Sequence, residues 1–379
     1  MKNNATENTR NTRPLHILMS GGGTGGHIFP AVAIADEIKK RFPDAEFLFI
    51  GANNKMEMEK VPEAGYKIQG LNITGIDRGN KLANIKLPFR LISSIYKAKD
   101  IVKNFKPDLA IGTGGFASGP ALYAAASFGI PVFIQEQNAH AGITNKILSK
   151  SAQLIFTAYP EVKGFPATKT RFLGNPIRES IISGRVDTKE AKIKLGLDPE
   201  KLVILSVGGS LGSKTLNNSW LEHLDLLKES NCQLIWQTGK LEYQKLESDS
   251  KINRLGSQIL LREFITDMPM AYSAADIIVS RAGAIAISEL SVAGKPVILV
   301  PFPFAAEDHQ TMNAMKLVEK NAARMVKDSE MKDKFWATLT ELCNDQNLRA
   351  TLSQNLIYFA KPNATQEIVD EILKKLKTE

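Results

Sequence analysis

Apolar runs without alternation recur along nearly the whole chain, separated by stretches of helical periodicity. HILMS (16–20), EFLFIG (46–51), LAIGT (109–113), PVFIQ (131–135) and LIFTA (154–158) form a first series. VILSVGG (203–209), QLIWQTG (233–239), DIIVS (276–280) and PVILVPF (296–302) form a second. Between them lie amphipathic stretches such as AVAIADEIKKRF (31–42). Runs apolar at every position predict strands buried on both faces, hence parallel sheets with helices on each side. The two series open alike: HILMS runs into the glycines of Gly21–Gly26, and VILSV runs into GGSLGS (208–213). That points to two similar α/β domains facing each other. The Gly-Asn-Pro of LGNPIRES (173–180) reads as a linker, placing the domains at 14–174 and 175–357 after a polar leader, 1–13.

A chain of 379 residues exceeds what one core normally supports, which agrees with two domains. The two cysteines, Cys232 and Cys343, lie far apart in sequence and near no histidine cluster. This predicts neither a disulfide framework nor a zinc site, and fits a reducing compartment. MKNNATENTRNTRP is too polar for a secretory signal. The most apolar long stretch, Ala121–Gln135, is short and broken by Gly129 and Pro131, so no membrane span is expected.

Charge changes the picture in one place. The net charge is +8, and between Lys67 and Lys106 nine basic residues face only Asp77 and Asp100. Ile76, Leu82, Ile85, Leu87, Phe89, Leu91 and Ile92 are interleaved with them. The plain reading is a solvated pair of helices; the sharper one is a surface that rests on anionic lipid. Nucleic acid is the weakest option, since only Phe89 and Tyr96 offer stacking.

Four glycine- or small-residue turns follow strands: Gly21–Gly26, AIGTGGFASGP (110–120), GGSLGS (208–213) and SRAGAIAISE (280–289). Each stands before a helical pattern, where backbone N–H groups and the helix dipole suit a diphosphate or a polar sugar. Gly21, Gly23 and Gly26 formally satisfy G-x-G-x-x-G, but the strand EFLFIG ends in Gly51, Ala52 and Asn53. No carboxylate stands there for a ribose, and the NAD reading weakens. GGSLGSKT (208–215) misses the Walker A pattern at Ser213 and has no strand-end aspartate for magnesium.

GGGTGGH, GTGGFASGP, QEQNAHAGITNK (135–146), GNPIR, GGSLGS, EFITDM (263–268), RAGAIAISE and EDHQTMNA (307–314) occur in that order. In combination, from about Leu15 to the C-terminus, the chain resembles the MurG family of UDP-N-acetylglucosamine transferases acting on lipid I. The resemblance implies the GT-B fold, two Rossmann-like domains with parallel sheets facing a central cleft. It also implies a last helix, about 358–379, crossing back onto the N-terminal domain. The implied reaction moves GlcNAc from UDP-GlcNAc to the 4-hydroxyl of the muramyl sugar with inversion, giving lipid II. The implied setting is peripheral, on the cytoplasmic face of the inner membrane, with no cofactor or required metal.

Residue by residue, the resemblance places uracil at Phe264 and Ile265, and the ribose at Glu289. It places the diphosphate at Ser210, Arg178 and the turn Ala284, Ile285, Ala286, Ile287 and Ser288. GlcNAc falls to Gln310 and Asn138, with Thr24, Gly25 and Gly26 close to the donor. Inversion by single displacement needs a base for the acceptor hydroxyl and a site that stabilises the departing diphosphate. His27 and Glu136 are both candidates for the base, and the sequence does not choose between them. Gln135 stands where many members of the family have histidine, while His140 lies on the same loop. No Asp-x-Asp motif of metal-dependent sugar transferases is present. With an acceptor anchored in a bilayer, Lys81, Leu82, Ile85, Lys86, Phe89 and Arg90 become expected membrane contacts. The alternatives are a GT-B transferase for another acceptor, an NAD-dependent oxidoreductase, and a sugar-nucleotide sensor without catalysis.

Overall fold

The computed structural model describes residues 13–75, 85, 87–209, 211–305 and 308–377. Lys81, Leu82, Lys86 and Ser210 therefore lie outside the described residues. The N-terminal sheet comprises β1 (His16–Gly21), β2 (Glu46–Ala52), β3 (Lys67–Leu71), β4 (Leu109–Gly114), β5 (Val132–Glu136), β6 (Leu154–Thr157) and β7 (Thr170–Phe172). Its order is β3-β2-β1-β4-β5-β6-β7, every pair parallel. The second sheet comprises β8 (Leu202–Val207), β9 (Cys232–Gln237), β10 (Ile259–Arg262), β11 (Ile277–Ser280), β12 (Val297–Leu299) and β13 (Arg324–Met325). Its order is β10-β9-β8-β11-β12-β13, again parallel throughout. These are two Rossmann-like domains, the fold class that the apolar runs predict.

All nine apolar runs become strands. Four further strands, β3, β7, β10 and β13, occupy the four sheet edges. Interior strands are buried on both faces: β4, β5, β6 and β9 are buried at every residue. The edge strand β7 has two exposed residues of three. Half-covered, short strands have no need of a continuous apolar run, so they leave a weaker mark in the sequence.

The helix predicted from Ala31 begins earlier, at Gly25, and runs through Pro30 to Arg41. A proline this close to the N-terminus removes only one intrahelical bond, so it need not mark the start. This puts His27 in the helix's first turn. Each sheet is covered on both faces. On one side of the N-terminal sheet, Ile17, Met19, Phe133 and Phe156 pack with Ile34 and Ile38 of that helix. The last helix, Ala364–Lys377, puts Ile368, Val369 and Ile372 into this same N-terminal core, although Leu356 lies in the C-terminal core. After β7, Ile177 and Ile181 enter the C-terminal core. The chain thus passes between the domains twice. Lys40 pairs with Glu179 across the first passage at 3.2 Å, an exposed contact of small energetic weight.

The fold adds one contact that sequence separation hides. Cys232 and Cys343, separated by 111 residues, are spatial neighbours with Sγ atoms 3.7 Å apart. Sequence distance is a poor guide here because β9 and helix Met331–Asn344 pack in the same cluster.

Candidate active site

Parallel strands aim their carboxyl ends the same way, so both sets of strand-to-helix turns face the space between the domains. The loop after β1 lies against the loop after β4: Gly22 N–H donates to Gly114 O at 3.2 Å. Gly115 has φ +90° there, and a Cβ on it would meet Gly22 O at 2.3 Å. Only glycine permits both the conformation and the approach.

The loop is also clamped by a residue that the sequence reading passed over. Glu57, fully buried, accepts the N–H of Gly23 at 2.8 Å and of Ala52 at 2.9 Å. A carboxylate does reach the end of β2, then, but it arrives from helix Glu57–Glu63 and braces the glycine loop. Its only signal was a single Glu five positions beyond Ala52.

His27 stands at the bottom of this loop. Its Nδ1 lies 3.0 Å from Gly22 O. A carbonyl can only accept, so Nδ1 carries the proton and Nε2 is left with its lone pair. Burial lowers the imidazole pKa below its ordinary value, partly offset by the nearby Glu136 carboxylate. The ring is neutral at neutral pH, and charge placed on it is partly compensated by Glu136.

Glu136, 2% exposed at the end of β5, is used differently. Its oxygens accept from Asn138 N–H at 3.0 Å, Asn138 Nδ2 at 3.3 Å, Gly142 N–H at 3.0 Å and Asn145 Nδ2 at 2.8 Å. Four donors shape the 137–142 loop around one carboxylate. Of the two base candidates, His27 has an unprotonated nitrogen and Glu136 is occupied.

From the other domain, helix Ala284–Ala293 begins after Gly283 in extended conformation. Its first-turn N–H groups lack intrahelical partners, which suits an anion. Ile287 donates its N–H to Gly283 O at 2.9 Å and buries its side chain in the core, so it offers a ligand neither group. Ile285 is 9% exposed, which leaves its main chain, together with those of Ala284 and Ala286, as the reachable part of the turn.

Glu289 sits one turn deeper. It accepts from Arg178 Nη2 at 3.1 Å and from Tyr272 Oη at 3.3 Å. Arg178 also lies over the Phe29 ring at 5.9 Å, bringing a cation from the linker against the N-terminal domain. Phe264 is half exposed, whereas Ile265 is 9% exposed and its N–H donates to Gln237 Oε1 at 3.0 Å. A uracil edge can reach that amide only by displacing Gln237. Gln310 has its Oε1 engaged by Phe302 N–H at 2.9 Å, which turns its amide nitrogen into the group with capacity to read a sugar hydroxyl.

Of three further residues that the sequence reading did not single out, Asn175 and Asn313 join the halves and Arg281 braces the C-terminal one. Asn175, in the Gly-Asn-Pro linker, accepts Gln135 Nε2 at 2.9 Å and donates to Gln137 O at 3.2 Å and Ser288 Oγ at 3.0 Å. Asn313 accepts Ala139 N–H at 3.2 Å and donates to Asn138 Oδ1 at 3.3 Å. Arg281 is held by Ser213, Asp328 and the carbonyls of Val300 and Pro301, behind the loop after β8. Asn175 was visible only as turn punctuation and as part of GNPIR, and Asn313 only as a member of EDHQTMNA. Gln135 is a buried structural amide.

Of the expected membrane contacts, Ile85, Phe89 and Arg90 fall among the described residues, and Ile92 and Tyr96 join Phe89 on its face. Phe89, Ile92 and Tyr96 lie on one face of helix Leu87–Phe105 and are 73%, 53% and 69% exposed; Ile85, just before the helix, is also exposed. The opposite face buries Ser94, Ala98, Ile101 and Val102. Arg90 instead donates to Thr74 Oγ1 at 3.2 Å, and Lys99 stands over Tyr123. No helix among the described residues is long and apolar enough to cross a membrane.

Residues 17–157 match the glycosyltransferase family 28 N-terminal domain, and residues 203–371 match its C-terminal domain. A Parabacteroides distasonis protein named UDP-N-acetylglucosamine–N-acetylmuramyl-(pentapeptide) pyrophosphoryl-undecaprenol N-acetylglucosamine transferase is 49% identical over 363 residues, covering 96% of this chain and 98% of the relative. A Cytophaga hutchinsonii protein of the same name is 48% identical, covering 97% and 98%. The crystal structure of Acinetobacter baumannii MurG superposes with a TM-score of 0.75 at 31% identity, covering 95% of this chain and all of that one.

Proposed function

The chain belongs to the MurG family within glycosyltransferase family 28, and on that premise we propose how its cleft carries out the family's reaction. It is a hexosyltransferase that moves GlcNAc from UDP-GlcNAc to lipid I, forming lipid II for peptidoglycan. The observation that carries this is similarity to enzymes named for that transfer over 96–98% of both chains.

In our reading the donor lies on the C-terminal domain. Phe264 and Ile265 take the uracil, Glu289 the ribose hydroxyls, and the first-turn amides of Ala284, Ile285 and Ala286 the diphosphate, with Ser210 and Arg178. The ribose competes with Arg178 for Glu289, so donor binding frees the guanidinium to turn toward the phosphates. A planar fork suits that task better than a lysine point charge. Gln310 and Asn138 face the sugar, and Thr24, Gly25 and Gly26 close over it. The Nε2 of His27 takes the proton of the 4-hydroxyl as that oxygen attacks the anomeric carbon and UDP departs from the opposite face. Helix-terminal amides are already oriented toward the charge that develops, so they stabilise the leaving group without reorganising. Glu136 acts as a positioning residue: it shapes the loop carrying Asn138 and favours the imidazolium that forms.

The purified full chain is expected to transfer labelled GlcNAc to a lipid I analogue and not to simple glycosides. A protein that binds UDP-GlcNAc yet transfers nothing would be a sensor, and one that prefers glycosides would be a transferase of another acceptor. A thermal shift with NAD and none with UDP-GlcNAc would restore the oxidoreductase reading.

Glu289→Ala is expected to raise the Kd for UDP-GlcNAc at least tenfold while leaving lipid I binding within about twofold, since a hydrogen bond to a charged group is worth about 1.5–3 kcal/mol. Equal loss of both affinities in titration calorimetry would remove Glu289 from the donor site.

For the acceptor, we propose that the strip of Ile85, Phe89, Ile92 and Tyr96, with the basic residues beside it, rests on the cytoplasmic face of the membrane. Replacing Phe89, Ile92 and Tyr96 together by serine removes three apolar groups that contribute about 1.5–3 kcal/mol each when fully buried. Partition onto anionic vesicles is expected to fall about tenfold or more in a sedimentation assay. High salt should weaken the wild type through its basic residues alone. Unaltered partition of the triple variant would return this face to an ordinary solvated helix.

A further inference from the structure

The cysteines lie at the end of the C-terminal domain remote from the cleft. Cys232 is the first residue of β9 and pairs in register with Leu202 at the start of β8, while the donor-side loop follows Val207 at the other end of β8. Cys343 approaches from the last turn of helix Met331–Asn344. Both thiols are free, and both line a cavity of about 480 Å³ bounded by Leu202, Ile204, Leu226, Trp336 and Leu339. Leu226 is 44% exposed at its edge, so the cavity communicates with solvent.

We propose that Cys232 and Cys343 are a modification site, a dithiol that small peroxides convert to an intramolecular disulfide. The Sγ atoms already touch at 3.7 Å, and bond formation needs them to close to about 2.05 Å. Cys232 is the attacking sulfur. The adjacent Cys343 thiol draws its pKa down to about 7, while contact and burial push that of Cys343 up. Its thiolate attacks one oxygen of hydrogen peroxide, breaking the O–O bond and releasing hydroxide, which takes up a proton to give water. The sulfenic acid left on Cys232 is then attacked by Cys343, which loses its proton as the hydroxyl departs as a second water. Two thiols and one peroxide give one disulfide and two waters, with two electrons passing from sulfur to oxygen. A metal is the weaker occupant, since the described residues contain no group of three or more His, Cys, Asp or Glu able to hold one.

The bond would tie β9 to the helix across 111 residues of chain, so it constrains the unfolded state of the C-terminal domain. Its distance from the strand ends that face the cleft leaves the donor site alone. Oxidation therefore protects the fold without switching off the enzyme.

The test treats the native full chain with hydrogen peroxide and follows thiol count, intact mass and melting temperature. The expected result is loss of both thiols with a mass decrease of about 2 Da, reversal by dithiothreitol, and a melting temperature higher by on the order of 5 °C. Unchanged affinity for UDP-GlcNAc accompanies it. Cys343→Ser, lacking the resolving thiol, should instead gain oxygen mass on Cys232. Two surviving thiols in the treated wild type, oxygen gain without linkage, or disulfides only between molecules would each overturn the proposal. None of this depends on the acceptor's identity, so a failed transfer assay leaves it standing.

Discussion

His27→Ala is expected to lower kcat about a hundred- to ten-thousandfold and to leave the KM for UDP-GlcNAc within a few-fold. That range is what a positioned proton acceptor contributes to a transition state. The small KM effect follows from position: His27 is in the first turn of a helix of the N-terminal domain, whereas the proposed donor contacts come mostly from the other domain. The same assignment fixes the pH dependence. Burial lowers the folded pKa of His27, so the neutral base is fully present above 6.5 and is lost as pH falls through that depressed value. The acid limb of kcat/KM should thus have an apparent pKa below 6.5 and disappear in the variant. Stability moves in the same direction. Because the unfolded chain binds the proton more readily, the His27 contribution is complete above 6.5 and disappears at lower pH. Near-normal single-turnover rates in His27→Ala would remove it as the base.

Glu136→Ala is expected to depress turnover strongly too, but for a different reason and with a different companion effect. Removing the carboxylate strands two backbone and two side-chain donors in a buried loop. Even with partial rescue by water, this should cost on the order of 3 kcal/mol, because unsatisfied buried groups cost about 1–3 kcal/mol each. The melting temperature should therefore drop by several degrees. Glu136→Gln, which keeps one acceptor oxygen, should recover part of both. A residue acting only as a base would instead lose kcat at constant melting temperature, with glutamine as damaging as alanine. Calorimetry and initial rates on the two variants separate these cases and decide which role Glu136 has.

Ile287 and Ile265 show how far a motif prescribes the geometry of its residues. Ile287 sits inside a motif whose neighbours face the cleft, but an α-helix turns each successive side chain by about 100°. A contiguous motif on a helix therefore cannot face a ligand at every position. Ile265 shows the related case of a main-chain amide: the sequence places it beside the donor, but only the packed structure shows Gln237 already bonded to it.

The sequence by itself determined the nine interior strands, the two-domain parallel architecture and the glycine turns that face the cleft. It could do so because a strand buried on both faces is apolar at most positions, and a tight strand-to-helix turn is built from small residues. The tertiary structure alone decided the edge strands, the brace from Glu57, the Asn175 and Asn313 bridges, the neutral tautomer of His27 and the meeting of Cys232 with Cys343. Each of these depends on which distant segments come together. Short local patterns register how a residue is covered, but they carry no record of the partner that covers it.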